Sequence, residues 1–199
     1  MLSADGFDSR VPMNIGAFNP QPTLSGKLLS LRPLRADDFE VLFAAAADPL
    51  LWEQHPQSDR YKREVFEKFF EGAMASGGAF LALDQVTGEV VGSSRFYDVK
   101  EVQGGPAQGS LIVGYTFVRR SHWRKGFNRE MKALMLGHAF QSVDTVFFQI
   151  GENNRRSRTA IEAIGARLVD RCELDGKAHV IYRIEARDFR QGTASLDGT

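Results

Sequence analysis

The sequence predicts a mixed α/β (α+β) chain, with a single twisted, mostly antiparallel sheet of about seven strands flanked by about four helices. Three observations predict it. The hydrophobic periodicity switches along the chain in the order β, α, α, β, β, β, α, β, α, β, β. Most β runs follow one another across short turn signals, as antiparallel strands do, and a single central β-α-β stretch requires a crossover. The composition, 43% hydrophobic and 25% charged over 199 residues, suits one soluble core rather than a disordered chain.

Residues 1–26 hold Gly6, Pro12, Gly16, Pro20, Pro22 and Gly26 with little periodicity, and read as an N-terminal tail or strap. The folded domain is expected over 27–187. Lys27 to Pro33 alternates as a first strand. Asp37 and Glu40 form a D-x-x-E capping pattern ahead of Phe39, Leu42, Phe43 and Ala46, an amphipathic helix. Phe66, Phe69, Phe70, Ala73 and Met74 write a second helix, stopped by Gly77-Gly78. Ala79–Asp84 and Glu89–Tyr97 flank Thr87-Gly88 as a hairpin. A Gly104-Gly105-Pro106 loop precedes the β run Ser110–Val118, SLIVGYTFV. The third helix carries Phe127, Met131, Leu134, Met135 and His138 on one face and ends near Phe140. Thr145–Ile150 is a buried strand. Asn153 and Asn154 are N-caps for a fourth helix with Ile161 and Ile164 inward and Gly165 as its stop. Arg167–Glu173 and His179–Glu185 close the sheet, and 188–199 is a C-terminal tail.

Charge and cysteine content exclude several classes. Twenty-five basic side chains balance twenty-five acidic ones, so no global field draws the chain to nucleic acid or an anionic membrane. No apolar run approaches the roughly 18 residues of a membrane span. The start MLSADGFDSR has no signal-peptide pattern, and the single cysteine, Cys172, cannot close an internal disulfide, so a cytoplasmic protein is expected. His122 and His138 have no carboxylate or cysteine at ligand spacing, and no metal site is predicted.

The stretch VGYTFVRRSHWRKGFNREMK, from Val113 to Lys132, carries the chemistry. A strand ends, a basic glycine-containing turn follows, and a helix begins. Amides of a first helical turn are unpaired and sit at the positive end of the dipole, so a phosphate docked there gains hydrogen bonds and field together. Gly126 permits close backbone approach. Arg119, Arg120, Arg124, Lys125 and Arg129 crowd the turn, where arginine offers bidentate phosphate contacts. The alternative reading is a solvated basic loop. Neither G-x-x-x-x-G-K-[ST] nor G-x-G-x-x-G occurs, which argues against a nucleoside triphosphate or dinucleotide.

VGYTFVRRSHWRKGFNREMKALMLGHAF, followed by VFFQIGENNRRSRTAIEAIGA, resembles motifs A and B of the GNAT acetyltransferase superfamily. More narrowly it is similar to the branch that contains the ribosomal-protein N-terminal acetyltransferases. The resemblance spans roughly residues 28–186 and is most specific from Gly114 to Gly165. It implies a GNAT-like sheet and acetyl-CoA as cosubstrate. The pyrophosphate would be cradled by Arg124, Lys125, Gly126, Phe127, Asn128 and Arg129, and the pantetheine arm would lie along Tyr115, Thr116, Phe117 and Val118. Asn128 stands where the family has a second small residue, and Arg129 where it often has threonine or glycine. Asn154-Arg155-Arg156-Ser157 resembles the family's N-x-x-S, which implies that Asn154 contacts the pantetheine and Ser157 lies near the thioester sulfur. Plain helix capping by Asn154, with Ser157 at N3, explains the same residues.

The resemblance implies direct acetyl transfer to a primary amine, on a peptide N-terminus or a small molecule. The amine must be neutral to attack, which an α-amine near pKa 8 achieves more easily than a lysine near 10.4. Ser157 is the candidate to hydrogen-bond the leaving sulfur. Glu53, in Leu51-Trp52-Glu53-Gln54-His55, is the candidate base, with His55 equally placed and a plain loop charge as the alternative. Glu130 is given no catalytic role, since a first-turn acid suits the helix dipole. Two other readings stand beside the enzyme: a noncatalytic CoA-binding sensor or interaction module, and a structural protein binding sulfate or phosphate. A homodimer and a monomer are both open.

Overall fold

A computed structural model describes residues 18–100 and 109–189. Among the described residues eight strands form one sheet in the order β1-β2-β3-β4-β5-β6-β8-β7, with β1 at Leu24–Ser25, β2 Leu29–Pro33, β3 Ala79–Asp84, β4 Val90–Lys100, β5 Ser110–Val118, β6 Thr145–Gly151, β7 Arg167–Leu174 and β8 Lys177–Glu185. Every neighbouring pair is antiparallel except β5 with β6. Among the described residues four longer α-helices flank it, α1 Phe39–Ala46, α2 Arg63–Ala75, α3 Phe127–Ala139 and α4 Arg155–Glu162, and a further helical turn covers 186–189. The mixed, mostly antiparallel architecture matches the expectation, with one strand more than about seven, because the two-residue β1 pairs onto β2.

The helices divide between the faces. Leu42, Phe66, Phe70 and Ala73 of α1 and α2 pack with Leu81 and Phe117 on one side. Phe127, Met131, Met135 and Leu136 of α3 pack with Leu29, Phe80, Val113 and Val146 on the other. Each face thus removes a continuous apolar surface from water, the main favourable term in holding the layers together. Phe18 joins the second cluster at 3% exposure and meets Phe96 edge-on.

Several boundaries differ from the sequence reading for identifiable reasons. The strand expected from Lys27 is β2 and starts at Leu29, because the amides of Lys27 and Leu28 are taken by the Glu130 carboxylate, which also accepts the Leu29 amide. This gives Glu130 a structural role: it ties the start of α3 to β2. The first helix is preceded by a 3-10 turn over Ala36–Asp38, and Asp38 rather than Asp37 is its organising acid. Asp38 accepts the Arg35 amide and pairs with Arg32 at 2.6 Å, which holds its carboxyl below the usual range against the opposing effect of burial. On α3 Phe127, Met131 and Met135 are buried as expected and are joined by Lys132, Leu136 and Ala139, whereas Leu134 and His138 lie at the boundary; His138 bonds the Asn19 carbonyl at 2.7 Å. The Gly104-Gly105-Pro106 loop and the expected tail residues 190–199 lie outside the described residues, as do residues 1–17 of the expected N-terminal tail.

Candidate active site

The parallel pair β5 and β6 opens partway along its length. Ser110, Leu111 and Ile112 pair with Thr145, Val146 and Phe147, and the pairing then stops. Beyond that point β5 stays paired to β4, through Gly114 with Arg95, Phe117 with Ser93 and Val118 with Gly92. β6 stays paired to β8 as far as Gly151. A register shift between Ser93 and Arg95 and a left-handed Tyr115 (φ 52°) bend β5 away from β6, as a bulge does. The result is a wedge with main-chain polar groups along one wall, in a sheet whose other strands are paired. Such groups need a partner. The cleft encloses about 1230 Å³, more than the roughly 300–1,000 Å³ typical of one small-molecule site, so it has room for two substrates.

One end of the cleft is the basic turn. Gly126 (φ 87°) and Arg124 (φ 61°) both adopt left-handed backbone, and Gly126 precedes α3 with no side chain capping the helix. A Cβ at Gly126 would also come within 3.0 Å of Leu28 Cδ1. The first-turn amides of Phe127, Asn128 and Arg129 are therefore left open for an anion. Trp123 pins the turn by donating its indole N–H to the Val118 carbonyl at 2.7 Å. The arginines split into two groups. Arg119 pairs with Glu89 at 3.8 Å and Arg120 with Asp48, whereas Arg124, Lys125 and Arg129 have no carboxylate within 4 Å among the described residues. Arg124, Gly126, Phe127, Asn128 and Arg129 line the cleft, and Lys125 sits beside it, exposed.

Asn154 and Ser157 reach the wall from the start of α4. The Asn154 carbonyl oxygen accepts the Ser157 amide at 3.2 Å, so Asn154 acts as N-cap while also lining the cleft. Ser157 is half-buried on the same wall. Tyr115, Thr116, Phe117 and Val118 form the opposite one.

The other end is closed by the segment from Leu51 to Arg60. Arg156 donates a side-chain N–H to the Leu51 carbonyl and its amide to Gln54, both at 3.2 Å. Pro56 lies so close to Gly151 that a Cβ there would sit 2.2 Å from its ring. Glu53 lines the cleft half-exposed, 3.7 Å from Arg156. His55 is different: burial first, then the Arg60 charge, pushes its imidazole down to about 3. Its ring is buried against the Arg60 guanidinium, whereas the Glu53 carboxylate is open to the water of the cleft. Arg60 is 7% exposed and is pushed down to about 10 by burial.

Sequence reasoning missed two features. Lys132, fully buried on α3 and lining the cleft, donates to the Thr116 hydroxyl, which shares a 2.7 Å bond with Ser94. Burial pushes this ammonium down to about 7. The signal was present, since Lys132 sits beside Met131 within the apolar stripe, but a long cationic stem usually snorkels outward. The second feature is the pair Arg60 and Arg95, brought together from a loop and a strand. Among the described residues no group of three or more His, Cys, Asp or Glu could hold a metal, and no helix is long and apolar enough to cross a membrane.

The acetyltransferase (GNAT) domain family matches residues 29–167. No curated protein matches the sequence. Among solved structures, a GCN5-related N-acetyltransferase from Brucella melitensis superposes with a TM-score of 0.72 at 19% identity, over 89% of this chain and 84% of that one. RimJ of Mycobacterium smegmatis, in complex with CoA-disulfide, gives 0.63 at 21% identity over 88% and 95%. FdhC, a nucleotide-linked sugar GNAT, gives 0.66 at 16% identity over 89% and 97%. At these identities the likeness is one of fold.

Proposed function

The chain belongs to the GNAT acetyltransferase family, and on that premise we propose that it is an N-acetyltransferase moving an acetyl group from acetyl-CoA to a primary amine by direct transfer. The observation that carries the reading is the splay of β5 from β6, with the uncapped start of α3 at one end of the wedge. Extended amide-rich chain fits along an unpaired strand edge, and a pyrophosphate fits open helix amides flanked by Arg124 and Arg129. Asn154 and Ser157 face that edge from α4. The thioester supplies an activated acyl carbon. Within the family, the branch of the ribosomal-protein N-terminal acetyltransferases is the proposed relation, supported by the motifs between Gly114 and Gly165.

The chain's residues divide the work. Amides of the β5 edge polarise the carbonyl, as an oxyanion hole does. The amine nitrogen forms the new bond to the carbonyl carbon while the carbon–sulfur bond breaks, and the amine proton passes to Glu53 through water. Ser157 hydrogen-bonds the departing thiolate. The charges of Arg60 and Arg95 nearby disfavour an ammonium acceptor and so favour the neutral, nucleophilic amine. Titration calorimetry with acetyl-CoA, followed by thiol release over a panel of amines, tests the proposal. Binding together with amine-dependent release supports it. Binding without release over background identifies the noncatalytic sensor instead, and inorganic phosphate competing as well as CoA identifies a plain anion site.

A further inference from the structure

On the α2 face of the sheet, away from the basic turn, two guanidinium groups are buried without an acid. Arg60 and Arg95 are each 7% exposed, and neither has a carboxylate within 4 Å among the described residues. Buried charges are ordinarily paired, because an uncompensated one loses hydration with nothing in return. Aromatic rings hold both in place. Arg60 lies 4.8 Å from the Phe69 centroid and 5.4 Å from that of Trp52, and Arg95 lies 3.3 Å from that of Tyr115. Rings attract a cation but leave its N–H groups unmet in their own plane.

The hydrogen bonding is incomplete in two independent places. The Nε of Arg95 is buried with no partner. Arg60 bonds the neutral Gln57 carbonyl oxygen at 3.3 and 3.2 Å, and its third neighbour is His55 Nε2 at 3.1 Å. His55 Nδ1 already accepts the Gln57 amide at 2.9 Å. With Nδ1 an acceptor, the ring proton sits on Nε2 and points at Arg60, donor against donor. An acceptor oxygen placed beside them would satisfy both N–H groups. Arg60, His55 and Tyr115 line the cleft, so that oxygen can come from a ligand.

Resting on the transfer reading above, we infer that the acceptor is a small amine bearing an oxyanion, a carboxylate or a phosphate, which docks on Arg60 with Arg95 behind it. The oxyanion turns the Arg60 guanidinium into part of a charge-assisted pair in a low-dielectric site and offsets the charge of Arg95 behind it. An arginine fork suits both oxyanions, and their source is decided by experiment.

Calorimetric titration of probe pairs that differ only in the anion tests this. The probes are L-alanine against L-alaninamide and O-phosphoethanolamine against ethanolamine, each added to the free protein and to protein saturated with CoA. At least one anionic probe is expected to bind roughly 10-fold or more tightly than its neutral partner, as the loss of a charge-assisted bond implies. Arg60→Gln should erase that ratio while leaving CoA affinity unchanged; Arg95→Met, checked for a native melting transition, should reduce it if Arg60→Gln does not fold. The alanine pair reports a carboxylate and the phosphoethanolamine pair a phosphate. Equal binding of anionic and neutral probes, no binding of any probe, or a ratio that survives in a folded variant overturns the inference. A failure of CoA to bind would sink the transfer reading alone, since titrations of the free protein still report on Arg60.

Discussion

The two ends of the cleft both offer guanidinium groups, but by opposite physics. At the basic turn Arg124 and Arg129 are exposed, keep their hydration, and surround backbone amides fixed by the left-handed Gly126. At the α2 face Arg60 and Arg95 are stripped of water, stacked on rings and short of acceptors. The first end can collect a mobile anion at little cost to folding. The second resembles a lock built around a missing part, since its unmet N–H groups reward one ligand shape and penalise others.

That contrast can be broken by substitution. The largest effect is expected from Arg124→Ala with Arg129→Ala, which removes two phosphate-directed cations. CoA affinity should fall about 10³-fold, at ~2 kcal/mol for each charged hydrogen-bonding group, and calorimetry at two salt concentrations should show a shallower salt dependence. An unchanged affinity would mean that this end does not hold the pyrophosphate. Next comes Glu53→Gln, for which a loss of roughly 10²-fold in kcat is expected from removing a general base, with KM for acetyl-CoA retained. Full turnover across the pH range would remove Glu53 from the chemistry.

Gly126→Ala probes the backbone rather than charge. A side chain at φ 87° costs about 1–2 kcal/mol, and the Leu28 methyl lies where the new Cβ would go, so CoA affinity should drop roughly 10-fold with the fold intact. The test of Lys132 is read in folding stability rather than in affinity or turnover. Its folded pKa, near 7, lies below the value of about 10.4 for an unfolded lysine. The unfolded chain therefore holds more protons between those values, and stability rises with pH there, by at most about 1.4 kcal/mol per unit. Denaturant melts from pH 7 to 10 should show that slope, and Lys132→Met should flatten it; an identical slope in the variant would place the titration elsewhere.

Legibility followed locality. The basic turn was readable because strand end, glycine, arginines and helix start lie within one short stretch, Val113 to Lys132, and each acts through its neighbours. The hairpin of β3 and β4, the α3 stripe and Asn154 as N-cap were readable for the same reason. The grip of Glu130 on Lys27, Leu28 and Leu29 was not, because it joins residues about a hundred positions apart. His55 and Glu53 looked equivalent in sequence; only burial against Arg60 separates them.

By itself, then, the chain's order of polar and apolar residues determined the mixed sheet, the helix faces and an anion-ready turn, all of which depend on periodicity and backbone preference within a few residues. Tertiary packing alone decided that β5 parts from β6, that Lys132 is dry, and that Arg60 and Arg95 share a ring-lined corner without an acid. Those outcomes depend on desolvation and on long-range approach, quantities that exist only once distant segments have excluded water from between them.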